Sequence, residues 1–328
     1  MQFTERTALE TGFAIVFEDT VKPRLTGIEA ERIEQLGNAR KFSLMAAGVG
    51  VVLAALVAVI FRSDVSYFFS FAIIVMGIVA AFAIRKAIAR SWSGSVAAAV
   101  MPAICNHVGD MSYDSSASAG FPTSAMTQLG MLPHYDSASF SDRLEGRYRD
   151  TGFLLVEASL SKQTRNSDGK TKSQNVFRGL LFEIDVPVAS PTPFLITRDY
   201  GALGNSLGAM FSGSSGRGMP KVELDNTAFE AVFEAHAEDP AAARTFLPSI
   251  FLVNLLAFGE GVGGKIGAKG MKAGFVDRSL YLALERGGDF LKMGSLTTPV
   301  MEMEEDLHEI FEDLELIRRI IDRLHGAT

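Results

Sequence analysis

Two stretches of the chain carry no charged residue. Phe42–Phe61 reads FSLMAAGVGVVLAALVAVIF, and Ser66–Ile84 reads SYFFSFAIIVMGIVAAFAI. A helix rises about 1.5 Å per residue, so each stretch can cross a hydrocarbon core of roughly 30 Å. Only Arg62, Ser63, Asp64 and Val65 separate them. The pattern predicts an integral membrane α-helical hairpin, with spans 42–61 and 66–84 running antiparallel. A pair of buried core helices fits less well, because two such runs stand in tandem with charge at their margins. A cleaved signal peptide is a poor alternative: residues 1–41 carry many acidic groups, and the first run is too long for an h-region.

Lys and Arg bias sets the expected orientation. Arg32, Arg40 and Lys41 precede the first span, and Arg85, Lys86 and Arg90 follow the second, whereas the tip has Arg62 beside Asp64. Both termini are therefore expected in the cytosol, with Trp92 at headgroup level. Ala46, Gly50, Ala54 and Ala58 recur every fourth residue, and Gly77 and Ala81 offer a matching pair. Small residues let helix backbones approach closely in lipid. Contact within the hairpin is favoured over contact between copies, because the short loop already enforces it. Neither span holds a charge, so nothing supports an ion pathway through them.

Outside the spans the pattern changes. Residues 1–41 read as a cytosolic helical segment, with Thr26 as cap of a helix through Ile28, Ile33 and Leu36 and a break near Pro23 and Gly27. Residues 85–142 read as a helix extension reaching Pro102, then a Ser-, Ala-, Gly- and Pro-rich linker from Asp110 with one short helix near Thr123–Leu129. Residues 143–328 read as a cytosolic α+β domain with an antiparallel sheet. Gly152–Leu160 and Val176–Val188 are its long strands, joined through the turn pair Asp168-Gly169. Shorter strands are expected at Phe194–Thr197, Val222–Leu224 and Phe229–Ala235. A helix is expected at Pro240–Phe258 and a second hairpin within Ala273–Leu284.

The domain ends in an amphipathic helix, 299–325. Met303, Leu307, Ile310, Leu314, Ile317, Ile321 and Leu324 form a heptad seam. Glu302, Glu304, Glu305 and Asp306 open it, and Arg318, Arg319 and Arg323 close it, matching the helix dipole. Coiled-coil dimerisation is one reading; packing on the domain's own sheet is the other. Phe311 and Ile320 widen the apolar face and favour self-packing.

Charge and cysteine content narrow the chemistry. A net charge of -7 argues against a general nucleic-acid binder. Cys105 is the single cysteine, which rules out an intrachain disulfide and a Cys-based metal framework. Gly259–Lys265 (GEGVGGK) satisfies two phosphate-loop patterns. A helix rather than a strand is expected before it, however, and Ile266 stands where magnesium needs Ser or Thr. With Lys265, Lys269 and Lys272 it reads as a flexible basic loop. Gly204, Ser206 and Gly208 match the nucleophile-elbow spacing, with His236 and Asp225 or Asp239 downstream. They sit in a Gly/Ser-rich run, 200–219, whose composition generates chance matches. Glu305 and His308 are half of a di-iron signature, and His308-Glu309 begins a zinc motif in which Glu312 replaces the second histidine; these read as surface charges. Cys105, His107, His134 and His325 read as structural or solvated. No catalytic, cofactor-binding or metal residue is assigned. Lys162, Arg165, Lys170 and Lys172 surround the hairpin turn, either as a solvated tip or as a contact for anionic lipid.

The layout resembles a bacterial two-span membrane family catalogued as domain of unknown function 3137. The resemblance rests on VKPRLTGIEAERIE before the spans, the spans themselves, RLEGRYRDTGFLLVEASL and VFRGLLFEID. It extends through KVELDNTAFEAVFEAHAEDPAAARTFLPSIFLVNLLAF and FVDRSLYLAL, while Gly259–Gly270 is longer and richer in glycine than the family pattern. It implies a bacterial inner-membrane location and one cytosolic domain, and it carries over no catalytic residue. The expected function is a membrane-anchored binding or scaffold module, partnered by the bilayer and a protein, with a homo-oligomer left open. The alternatives are a membrane-associated serine hydrolase using Ser206 and an accessory subunit of a transport or envelope assembly.

Overall fold

The computed structural model describes residues 2–165, 169, 171–198, 218–224, 226–246, 252–253, 270–287 and 290–325. The chain divides into two compact units, Met1–His107 with Lys292–Phe311 and Val108–Leu291 with Glu312–Thr328.

The first unit is built on two long helices. A short helix Phe13–Val16 runs through a π-helical turn, Phe17–Val21, into α1 (Lys22–Phe61). Pro23 sits in the first turn of α1, where its missing N–H costs nothing. Thr26 is therefore not a cap. It lies inside the helix, and its hydroxyl donates to the Lys22 carbonyl at 2.8 Å. After the turn, α2 (Asp64–Val108) runs for 45 residues and passes Pro102 without ending. At 40 and 45 residues the helices are about 60–70 Å long, roughly twice a hydrocarbon core, so their polar halves form a helical base beyond the apolar halves.

The turn between the helices is set by Arg62, in the left-handed region at φ 40°. Ser63 and Ser66 cap the start of α2 reciprocally: each backbone N–H donates to the other's hydroxyl, at 3.0 and 3.3 Å. Farther down, the backbones touch. A Cβ placed on Gly50 would stand 3.0 Å from the Gly77 Cα, and one on Gly77 would stand 3.1 Å from the Gly50 Cα. Between these points and the turn, the Ser70 hydroxyl donates to the Ala54 carbonyl across the pair at 2.9 Å. The small-residue stripe is thus spent on contact within the hairpin.

Among the described residues, the second unit is built on a sheet of nine antiparallel strands. Its strands are β1 (Met111–Asp114), β2 (Ser137–Tyr148), β3 (Thr151–Arg165), β4 (Thr171–Asp185), β5 (Phe194–Arg198), β6 (Lys221–Val222), β7 (Phe233–Ala237), β8 (Met271–Val276) and β9 (Ser279–Glu285). They lie in the order β1-β2-β3-β4-β9-β8-β5-β7-β6. Arg149 and Asp150, at φ 49° and 60°, make the two-residue turn from β2 to β3. The middle strands are buried on both faces, which is why β3 and β4 read as nearly continuous apolar runs.

One face carries Val156, Ala158, Leu160, Leu181, Tyr281 and Ala283, covered by Phe121, Met126, Leu129, Met131 and Leu132. The covering residues lie in and around α3 (Thr123–Gln128). The stretch expected as a linker therefore supplies β1, α3 and the start of β2, and its apolar residues close the core. The opposite face receives the second half of the C-terminal helix, α6 (Glu304–Leu324). Asp313 accepts from Arg286 and from the Leu291 N–H, both at 3.1 Å, and Thr151 meets His325 at 2.7 Å. Leu314, Ile317 and Ile321 are buried here, while Leu307 and Ile310, in the first half of α6, are buried in the helical unit. The heptad seam is covered within the chain.

Two smaller expectations change. Phe229 lies in a short helix, α4 (Thr227–Glu230), because the Asn226 side chain accepts from the Phe229 N–H at 3.0 Å and starts a turn; the strand begins later, at Phe233. The helix expected from Pro240 is described as α5 (Pro240–Phe246). Residues 247–251 and 254–258 of that expectation lie outside the described residues.

The Gly50–Gly77 contact predicts a position-specific response. Gly50→Val is expected to cost about 1–3 kcal/mol by forcing the backbones apart. Gly48→Val, where nothing lies within 4 Å of the added Cβ, is expected to cost almost nothing. Thermal midpoints of the detergent-solubilised chain compare the two.

Candidate functional site

The largest unusual surface belongs to the helix pair. Between Phe42 and Phe82, twenty-one large apolar side chains are exposed, among them Leu44, Val52, Ile60, Phe68, Phe71 and Met76. The rest of the described chain exposes four: Ile15, Ile33, Val188 and Val253. In the most apolar windows of the two helices, 11% and 6% of residues are buried. Helices of a soluble core are mostly buried, so these are not core helices. Arg40, Lys41, Arg85, Lys86 and Arg90 are exposed at the margin of the apolar halves.

Below that margin the helical base has a core of its own. Trp92, Val96, Val100, Met101 and Ile104 of α2 are buried, as are Phe13, Phe17, Val21 and Leu25. Met293, Leu296, Val300 and Met303 complete this core. Trp92, expected at headgroup level, is fully buried, so its ring is enclosed by protein and presents no face to headgroups. Polar ties hold segment 292–303 to the helices. The buried Arg32 guanidinium donates to Glu29 and, at 2.6 Å, to the Leu296 carbonyl. Glu29 also accepts from the Val300 N–H at 3.1 Å, and Ser93 donates to the Met293 carbonyl at 2.7 Å. The Arg32 guanidinium holds the Glu29 carboxyl below its usual value.

The N-terminal residues are clamped to the first half of α6. Glu10 is fully buried; its carboxylate accepts from His308 Nδ1–H at 2.8 Å and from the backbone N–H groups of Arg6 and Thr7. Phe3 stacks on the His308 ring at 4.7 Å, and Phe13 meets Phe311 edge-on at 4.8 Å. Burial alone raises the Glu10 carboxyl, but His308 and the two amides outweigh it and bring the group below its usual 4.5. His308, expected as a surface charge, is 3% exposed. Its Nε2 lies 3.8 Å from Glu304. Glu305 is exposed and pairs with Arg6 at 2.8 Å, as a surface residue should.

The remaining sequence candidates fall into three groups. Ser206, Asp225, Lys170 and the loops 200–217 and 259–269 lie outside the described residues. Of the hydrolase partners that are described, Asp239 caps α5 by accepting from the N–H groups of Ala241 and Ala242. His236, on β7, has its Nδ1 3.4 Å from the Met219 carbonyl and its Nε2 3.7 Å from Glu234. Lys272 is not part of a loop: it lies on β8, where burial pushes its ammonium down and Glu285 opposes the shift.

Among the described residues, no three His, Cys, Asp or Glu side chains are grouped as metal ligands. Cys105 is buried, and burial pushes its thiol up to about 11, which leaves little thiolate for chemistry at neutral pH. His107 packs on Phe13 at 5.2 Å, while His134 is exposed near Asp136. Lys162, Arg165 and Lys172 stand exposed on the arms of the β3–β4 hairpin. The buried Glu10–His308 pair had no signal in the sequence: Glu10 belongs to no motif, His308 figured only in partial metal motifs of its own helix, and the two stand 298 positions apart.

Comparison with known proteins gives a family-model match over part of the chain and a distant likeness. Residues 175–325 match the family model described as protein of unknown function (DUF3137). This stretch, from within β4 to the end of α6, bears out the resemblance seen in the sequence. No curated protein matches the chain. Among solved structures, the chain is similar to the mycobacterial trehalose monomycolate transport factor A, TtfA. The identity is 8% and the TM-score 0.32, covering 66% of this chain and 89% of that one.

The clamp makes a pH prediction with a definite sign. Glu10 has a folded-state value below 4.5, so its contribution is complete above that pH and is lost as pH falls through the lower value. The protection factors of the residue 2–12 amides, taken against the intrinsic exchange rate at each pH, are expected to fall on acidification. Glu10→Gln is expected to lower them already at neutral pH, by the loss of about 1–3 kcal/mol from a buried charged hydrogen bond.

Proposed function

We propose that this chain, whose residues 175–325 belong to the DUF3137 family, is a membrane-anchored binding or scaffold module of the bacterial inner membrane. The helix hairpin crosses the bilayer, and both termini stay in the cytosol with the sheet domain. The observation that carries this reading is the uncovered apolar surface of the hairpin. Leaving one large apolar side chain in water forgoes roughly 1.5–3 kcal/mol. Over the twenty-one exposed between Phe42 and Phe82, that total exceeds the ~5–15 kcal/mol that keeps a domain folded. A bilayer removes the cost, and helices satisfy their backbone groups internally, as a hydrocarbon environment requires. The exposed basic residues at the open end, against Arg62 alone at the turn, support an inside base and an outside tip.

Two routes to self-association are already used within one chain. Gly50 and Gly77 are in contact with each other, and the heptad seam of α6 is buried. A second copy would have to meet other surfaces.

The anchor is tested by alkaline extraction of membrane vesicles, in which the chain is expected to stay with the lipid. Its orientation is tested by an impermeant maleimide on intact cells. Asp64→Cys is expected to react from outside, and Gln2→Cys and Ser173→Cys only after permeabilisation, with Cys105 silent because it is buried. Release by alkali, or the reverse labelling, overturns the reading.

A further inference from the structure

The β3–β4 hairpin outruns its sheet. The last β2 partner of β3 is Ser137, opposite Ser161, and the last β9 partner of β4 is Glu285, opposite Gly179. Beyond them, Lys162–Arg165 pairs only with Thr171–Gln174, a two-stranded ribbon with no third strand among the described residues. Its base is fixed by Asp136, which accepts from the Gln163 N–H at 2.7 Å. The cross-strand pairs Lys162–Gln174 and Thr164–Lys172 place both lysines on one face, as diagonal neighbours, and Arg165 on the other. Lys162 and Lys172 are exposed, and their ammonium groups have no hydrogen-bond or ion-pair partner among the described residues. The arms carry no acidic and no large apolar side chain. Lys162, Arg165 and Lys172 make the arms locally basic in a chain of net charge -7.

We infer that this ribbon is an electrostatic arm that docks on the anionic headgroups of the bilayer in which the hairpin is anchored. The inference rests on the anchored reading above. A protein partner is the weaker fit, because protein interfaces are held by buried aromatic or apolar anchors, and the arms have none. Adsorption to an anionic surface needs only charge, about fivefold in occupancy for each Lys or Arg near it. Tethering makes such a weak contact effective, since the surface is always at high local concentration.

The test uses the full chain reconstituted in vesicles of phosphatidylcholine, alone or mixed with phosphatidylglycerol. A fluorophore on Gln174→Cys, on the lysine face, reports quenching by headgroup-labelled lipid. Quenching is expected in the anionic vesicles only, falling with added salt as the Debye length shrinks. In Lys162→Gln/Lys172→Gln it is expected to weaken by roughly twenty-fivefold in apparent occupancy. Equal quenching with and without anionic lipid, no quenching in either, or indifference to the two lysines overturns the assignment. Alkaline extraction of the same vesicles reads the anchor separately. A retained chain with an unquenched ribbon overturns the arm alone, and a released chain overturns the anchor and the arm with it.

Discussion

A surplus of apolar surface governs this molecule. The hairpin halves of α1 and α2 present side chains that no other described part of the protein covers, while their polar halves are covered in the usual way. The same two helices thus follow two patterns of burial along their length. In the apolar half, the buried residues are small or hydroxylic, because among the described residues only the partner helix covers them. Gly50, Ala54, Ser66 and Ser70 are the tight points. In the base, Trp92, Phe13 and Phe17 are inside, because more chain is available to enclose them. The change occurs across the exposed basic residues Arg40, Lys41, Arg85 and Lys86.

Polar groups in the base follow from the same logic. The two most enclosed charges are paired: Arg32 with Glu29 and a carbonyl, and Glu10 with a histidine and two amides. Unpaired, such groups would cost more than the apolar contacts around them return. His308 Nε2 and the Trp92 indole nitrogen have no hydrogen-bond partner among the described residues. Phe3 is stacked on the His308 ring. The N-terminal residues are therefore structural, although nothing in their composition marks them so.

What could be read from the sequence was whatever depends on neighbours in the chain. The two long apolar helices, the β3–β4 hairpin, the β8–β9 hairpin and the amphipathic helix all follow from local periodicity, and the structure has each of them. What escaped was set by partners far away. β1 and β2 are polar and Ser-rich because they lie at the edge of the sheet, so Ser137–Phe140 resembled a loop. Phe229 looked like a strand residue until the Asn226 cap was seen to turn the backbone there. Trp92 and His308 carry polar atoms that suggest a surface, and only tertiary enclosure shows otherwise. The candidate arm was legible as a cluster of charge, but not as a ribbon standing clear of its sheet, since that depends on where β2 and β9 stop.

The chain's path through its two units has a consequence for biosynthesis. The helical unit needs Lys292–Phe311, yet its two helices are made within the first third of the chain. A ribosome therefore delivers the hairpin long before the segment that seals Trp92, Val96 and Ile104. During that interval the base of the helix pair is an unfinished hydrophobic surface, waiting for residues translated about 180 positions later. Nascent chains halted before residue 292 would hold an unsealed base, the kind of exposed intermediate that chaperones recognise.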